Sequence, residues 1–402
     1  MIEKSIKIGD KILNNRLVLA PMCQYMAKNN NPSSWHYQHL GKAIISGFGM
    51  VMLESTSVSL EGRISKNDLA LSTKSNLIEF KKLVKFLKSL KNIPIGIQLS
   101  HSGRKGSTHL PWIKKNTPLS GKNGWKTISP SGIKREKNWP KPIEINQKKI
   151  KLIKEQFKNS AKKAILCGFD CIELHMAHGY LLHQFISPLS NKRKDEYGGT
   201  LENRCKLPIQ IVKEIKSICK KNKIILGARI TGNDWVKNGL SVKDSIYLAK
   251  NLEKAGLDYI CVSSGGIFSK TNLKFKKGFN TDLSKIIKKN VNIPIRVAGN
   301  IERIKYADQV VRKKKADIIA IGRSYLKRSA ASTITSTSAS WFSIMTKTSN
   351  LYNSCINIIQ LWCKLEYCYP IETEGCVTVV NISISFMFIR LYKNRRCFTG
   401  GG

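Results

Sequence analysis

The residues of this 402-residue chain best suited to chemistry are two histidines in the run HMAHGY, His175 and His178, with Tyr180 just beyond them. Two imidazoles this close past the end of an apolar run can both donate to one carbonyl or phenolate oxygen and polarise it. His183 follows and opens a rival reading, a zinc site, while a purely structural histidine pair is a third. Cys23, directly after LVLAPM, reads either as a buried small hydrophobe or as a thiol beside a cofactor. Gln98 and Arg229 end apolar runs, where a buried amide or guanidinium is costly unless it meets a polar ligand. For Arg229 the alternative is an ion pair with Glu54 or Glu173. The runs VAGN and IGR contribute Gly299 and Gly322, which let backbone N–H groups approach a phosphate, and Arg323 adds charge. Simple chain turning is the other reading of those glycines.

These residues need a scaffold that brings them to one face. Eight β-branched runs provide it: LVLAPM from Leu17, MVMLESTSV from Met50, PIGIQLSH from Pro94, CIELHMA from Cys171, IILGARIT from Ile224, YICVSSG from Tyr259, IPIRVAGN from Ile293 and IIAIGR from Ile318. Helical stretches separate them, such as SNLIEFKKLVKFLKSLK from Ser75 and SVKDSIYLAKNLEKAG from Ser241. Eight strands alternating with helices predict an α/β fold, a TIM (β/α)8 barrel over residues 1–328. In such a barrel the C-terminal strand ends line the active face, and every candidate above sits at one. SIKIGDKILNN predicts an N-terminal β-hairpin cap turning at Gly9-Asp10, placed under the barrel floor. The irregular stretch from Ser102 to Ile145 is long enough to act as a lid. After Arg328 the periodicity stops, and residues 329–402 carry six Lys or Arg against three acidic residues, an atypical tail that reads as disordered or frame-shifted.

Composition narrows the function classes. The chain is 42% hydrophobic and 24% charged, with a formal charge of +43. Lysines spread along nearly every helix, without a zinc-finger, RRM or basic-heptad pattern, predict a solvated surface and no nucleic-acid partner. The charged N-terminus lacks a secretory signal and the first 328 positions lack a membrane-length apolar run, so the expectation is a cytoplasmic protein with no membrane partner. Eleven scattered cysteines read as free thiols.

NRLVLAPMCQY, IQLSHSGRKGS, DCIELHMAHGYLLHQFISPLSNKRKDEYGGTLENR and IIAIGRSYL together resemble the old yellow enzyme family, and within it the thermophilic-like class of NADPH dehydrogenases and ene-reductases. The resemblance runs from about Ile8 to Leu326. It implies FMN as cofactor and NADPH or NADH as hydride donor. Ala20, Pro21, Met22 and Cys23 would wrap the flavin, with the Cys23 thiol tuning its potential. Ser55, Gln98 and Arg229 would bind the flavin ring, and Gly299, Gly322 and Arg323 the phosphate. Tyr25 would line the substrate side, His175 and His178 would grip a substrate carbonyl, and Tyr180 or water would supply a proton. The implied reaction is ping-pong reduction of the C=C bond of an α,β-unsaturated carbonyl compound, a small-molecule substrate. The iron–sulfur cluster of some relatives is not expected, because Cys355, Cys363, Cys368 and Cys376 are too widely and irregularly spaced. The family's final helix and arginine-bearing C-terminus have no match here, which weakens the expectation of a homo-oligomer and raises a degraded barrel that no longer closes as the alternative. A basic nucleic-acid-binding protein is the remote one.

Overall fold

A computed structural model describes residues 1–114 and 116–327, all within the unit Met1–Ser336. The boundary at Arg328 and the tail 329–402 lie outside the described residues. The chain opens with β1 (Ile6–Ile8) and β2 (Lys11–Leu13), antiparallel, with Ile8 opposite Lys11. Gly9, at φ +54°, makes the two-residue turn possible. Ile8 and Leu13 are buried against Val18, Met50, Cys171, Ile225, Tyr259 and Ile318 at the starts of the barrel strands, so the hairpin closes the floor as the sequence predicts.

The barrel strands follow in chain order: β3 (Leu17–Leu19), β4 (Met50–Ser57) and β5 (Ile95–Ser100). The lid region contains two more, β6 (Ile128–Ser129) and β7 (Ile143–Glu144), which pair with each other in parallel. The barrel resumes with β8 (Cys171–Met176), β9 (Ile225–Thr231), β10 (Tyr259–Ser263), β11 (Ile295–Ala298) and β12 (Ile318–Ile321). All eight barrel pairings are parallel, and β12 joins β3 through Ile319–Leu17, Ala320–Val18 and Ile321–Leu19. The barrel therefore closes within the described residues, against the non-closing alternative.

Strands buried on both faces explain the near-continuous apolar runs. The covering helices are amphipathic: α1 (Ser34–Ile45), α2 (Lys74–Leu90), α3 (Gln147–Cys167), α5 (Leu201–Lys221), α6 (Val242–Lys254), α7 (Thr281–Lys288) and α8 (Ile304–Arg312); the short α4 (Leu181–Ile186) is buried along its whole length, and α9 (Arg323–Lys327) follows the last strand. Helix α2 begins before Ser75 because the Thr73 hydroxyl accepts the Asn76 N–H at 3.1 Å. Helix α6 is capped as expected by Ser241, whose hydroxyl accepts the Asp244 N–H while the Asp244 carboxylate accepts the Ser241 N–H. No helix among the described residues is long and apolar enough to cross a membrane.

One irregularity shapes the active face. The register of β4 on β5 shifts between Leu53 and Ser55, so Glu54 is an inserted bulge residue. The bulge sets Ser55 opposite Gln98, and Gln98 in turn lies opposite Glu173 on β8. It also sends Glu54 to α1, where its carboxylate accepts the Gln24 N–H at 2.6 Å and meets His36 Nε2 at 2.9 Å.

Candidate active site

The segment after β8 is wound tightly. His178 adopts φ +57° and Gly179 φ +72°. Three contacts hold this shape: the His178 N–H donates to Thr231 Oγ1 at 3.1 Å, the Gly179 N–H to His183 Nδ1 at 2.7 Å, and Gln184 Nε2 to the Gly179 carbonyl at 2.7 Å. A Cβ on Gly179 would lie 2.3 Å from the Gly266 carbonyl oxygen, so only glycine lets the β8 and β10 loops meet here. His183 is thus committed to the loop, and its Nε2 faces Asp234 at 3.1 Å. The described residues contain no cluster of three or more metal-ligating side chains, and the zinc alternative finds no support in them.

The winding stacks the predicted residues. The His175 and His178 rings stand 5.1 Å apart at 83°, and Tyr180 lies edge-on to His175 at 4.7 Å. Burial, followed by the charge of Arg229, holds both imidazoles well below the usual histidine range, so they are neutral. The Ala177 N–H donates to His175 Nδ1 at 3.2 Å, and His178 Nε2 lies 2.7 Å from Ser263 Oγ. Tyr180 is pushed well above the ordinary phenol range, chiefly by burial, and keeps its proton.

Across the barrel mouth, burial and then Glu54 raise the Cys23 thiol well above its normal value, leaving it uncharged. Tyr25, at φ +56°, meets Trp112 of the lid edge-on at 6.1 Å. Ser55 and Gln98 are buried, and Gln98 Nε2 donates to Glu173 at 2.8 Å. Glu173 also accepts from Tyr259 at 2.8 Å and pairs with the buried Arg296. Glu54 and Glu173 are therefore both engaged elsewhere, and the ion-pair alternative for Arg229 does not hold. Among the described residues Arg229 reaches only Ser263 Oγ, at 3.4 Å, and its buried Nε has no partner there.

Ala20 and Pro21 are buried at the end of β3, where the Ala20 N–H donates to the Ile321 carbonyl at 2.8 Å. Gly322 follows β12; a Cβ there would come within 3.3 Å of Met22 Sδ, so this glycine lets the two strand ends approach. Gly299 follows β11 beside Asn280, which bridges the Ala298 carbonyl (2.6 Å) and Ser264 Oγ (2.6 Å). Arg323 is exposed at the start of α9.

Sequence reasoning passed over Asn280 and Lys105, while Ser263 was legible as a polar residue at a strand end. Lys105 Nζ donates to the carbonyls of His178 at 2.5 Å and Gly266 at 3.3 Å, and sits 4.7 Å over the Tyr180 ring. In a chain with 69 Lys and Arg, one functional lysine is not conspicuous. The only signal was its place five residues after the end of β5, in the turn that follows His101.

Residues 2–332 match the NADH:flavin oxidoreductase / NADH oxidase family. The chain belongs to this family. It is 38% identical to an NADH:flavin oxidoreductase of Gibberella zeae over 77% of this chain and 78% of that one. It is 35% identical to an NADPH dehydrogenase of Listeria welshimeri over 80% and 90% of the two chains. Among solved structures, the old yellow enzyme homologue from Zymomonas mobilis superposes with a TM-score of 0.68 at 21% identity, covering 82% of this chain and 90% of that one, a likeness of fold. The protein is thus an FMN-dependent oxidoreductase that uses a nicotinamide and acts on small molecules. The site fits a flavin mononucleotide. Arg229 carries a buried Nε–H with no partner among the described residues, the kind of donor a flavin ring accepts.

Proposed function

We propose that this oxidoreductase is an ene-reductase, reducing the C=C bond of α,β-unsaturated carbonyl compounds with NADPH or NADH in a ping-pong cycle. The observation that carries the reading is the neutral, perpendicular pair His175–His178, each ring anchored through one nitrogen. Because His175 Nδ1 accepts from the backbone, its proton is on Nε2. Ser263 Oγ accepts from Arg229 Nη2, and we assign its own hydrogen to His178 Nε2, an assignment that puts the His178 proton on Nδ1. The pair thus presents two uncharged N–H donors to one substrate oxygen. Fixed donors of this kind stabilise the negative charge that grows on a carbonyl oxygen as its conjugated alkene is attacked.

The bound flavin supplies the hydride-carrying chemistry. The protein does the rest. Ser55, Gln98 and Arg229 hold the ring, while Ala20, Pro21, Met22, Gly299, Gly322 and Arg323 hold its edge and phosphate. Cys23 keeps an uncharged thiol beside the ring and Tyr25 closes the substrate side. Tyr180 retains a proton for the α-carbon.

Product analysis with cyclohexenone tests this reading. Cyclohexanone as product, formed with parallel initial-rate lines, is expected; cyclohexenol, or no turnover by flavin-loaded protein, refutes it. His175→Ala and His178→Ala should each slow the enone half-reaction about 10²-fold, the cost of losing one such donor.

A further inference from the structure

Beside Tyr180 the structure gathers three positive charges that the proposed chemistry does not use. Arg104 lies in the turn after β5 and is 2% exposed; Arg135 lies in the lid after β6 and is 5% exposed. Lys105 follows Arg104 in the same turn and sits over the Tyr180 ring. Their mutual repulsion shows in their protonation. Arg104 is pushed down to about 10 by burial and then by Arg135, and Lys105 is pushed well below its usual range by burial, Arg135 and Arg104 in turn.

None of the three forms an ion pair among the described residues. Glu136, close enough to be felt by both arginines, accepts the N–H and hydroxyl of Ser269 at 2.7 and 2.8 Å. Each cation spends one face on an aromatic ring: Arg104 on Phe268 at 5.4 Å, Arg135 on Trp139 at 4.5 Å. Arg104 Nη1 reaches the carbonyls of Ile133 (3.1 Å) and Lys134 (3.3 Å). Its Nε and Nη2, and Arg135 Nε, are buried without an acceptor among the described residues. A loop clamp needs one such charge. Three together, with unused donor edges, are costly unless a group with several anionic oxygens completes them.

We propose that Arg104, Lys105 and Arg135 form an anion subsite next to Tyr180 that takes a carboxylate or phosphate carried by the α,β-unsaturated substrate. The preferred substrate class is then a charged enone or enal, and the net charge of +43 draws it toward the mouth. This rests on the ene-reductase reading, and the test separates the two. With flavin-loaded full-length protein, kcat/KM is compared for cyclohexenone and 3-oxocyclohex-1-ene-1-carboxylate. The wild type should favour the acid, and Arg135→Gln should lower the acid-to-neutral ratio roughly tenfold, the worth of one charge-assisted hydrogen bond; Arg135→Lys should restore part of it. Calorimetry with inorganic phosphate on the same flavin-loaded proteins should show a site that Arg135→Gln weakens. Loss of cyclohexenone turnover in the wild type would sink the ene-reductase reading itself. An unchanged ratio with cyclohexenone still reduced overturns the subsite, as does an Arg135→Gln defect confined to reduction by NADPH, which would give the anion to the hydride donor.

Discussion

Two arginines stand on nearby barrel strands, Arg296 on β11 and Arg229 on β9, and they live differently. Arg296 is 1% exposed, paired with Glu173 and stacked 4.8 Å over Tyr259. Arg229 meets no carboxylate among the described residues and has one long contact there, to Ser263; the Nε of each arginine is buried without a partner, so the difference lies in the ion pair. In the lower interior of the barrel the charges thus cancel internally. In the proposed function, the polar groups of the mouth above it are completed by what binds. The same contrast separates the apolar hairpin floor from the strand ends where His178 and Tyr25 take positive φ.

The sharpest way to break the contrast is to remove the carboxylate that serves the interior. Glu173→Leu strands Arg296 and unties Gln98, and should cost about 3–5 kcal/mol of folding stability, read by urea unfolding of the flavin-free protein. By comparison, Arg229→Met removes a guanidinium whose contact among the described residues is the long one to Ser263. Flavin-free stability should change by less than about 1 kcal/mol, while FMN affinity falls by roughly 1.5–3 kcal/mol, the usual worth of hydrogen bonds to a charged group. If Arg229→Met proves the more destabilising of the two, the comparison is backwards.

A third test uses pH. His175 and His178 are neutral when folded, but in the unfolded chain they charge below about pH 6.5. The unfolded state then binds more protons, so stability falls as pH drops through that value. Asp68, raised by burial to about 7, acts the other way: its contribution is complete below about pH 4 and is lost as pH rises through 7. His39, lowered by burial to about 4, and His101, also lowered by burial, act with His175 and His178, so four imidazoles against one carboxyl leave a net loss of roughly 2 kcal/mol between pH 6.5 and 5.5 in the flavin-free protein. A flat or rising stability there would mean the imidazoles are charged when folded. The smallest effect is expected at Gly322. Gly322→Ala presses only on the flexible Met22 thioether at 3.3 Å and should cost less than about 1 kcal/mol, with a modest loss of FMN affinity.

Much of the mouth was readable because its strands are apolar and end abruptly in polar residues: His175, His178, Gln98 and Arg229 could be placed from that pattern alone. Their partners could not. The Glu54 bulge depends on register, which no periodicity encodes, yet it decides that Ser55 faces Gln98 and that Glu54 serves α1. Arg296 lies inside the apolar run IPIRVAGN, where only the fold reveals Glu173 across the barrel. Arg104 and Arg135 are 31 positions apart and come together only because the lid folds back. The parallel pair β6–β7 inside that lid was missed as well, since two-residue strands carry no period.

The central claim, that the mouth is completed by a flavin and a polarised enone, is met most directly by one anaerobic spectrum. Purified protein loaded with FMN should show a visible flavin band that NADPH bleaches and cyclohexenone restores, one equivalent for one. Folded protein that takes up no FMN, or a bleached band that cyclohexenone leaves unchanged, would contradict it.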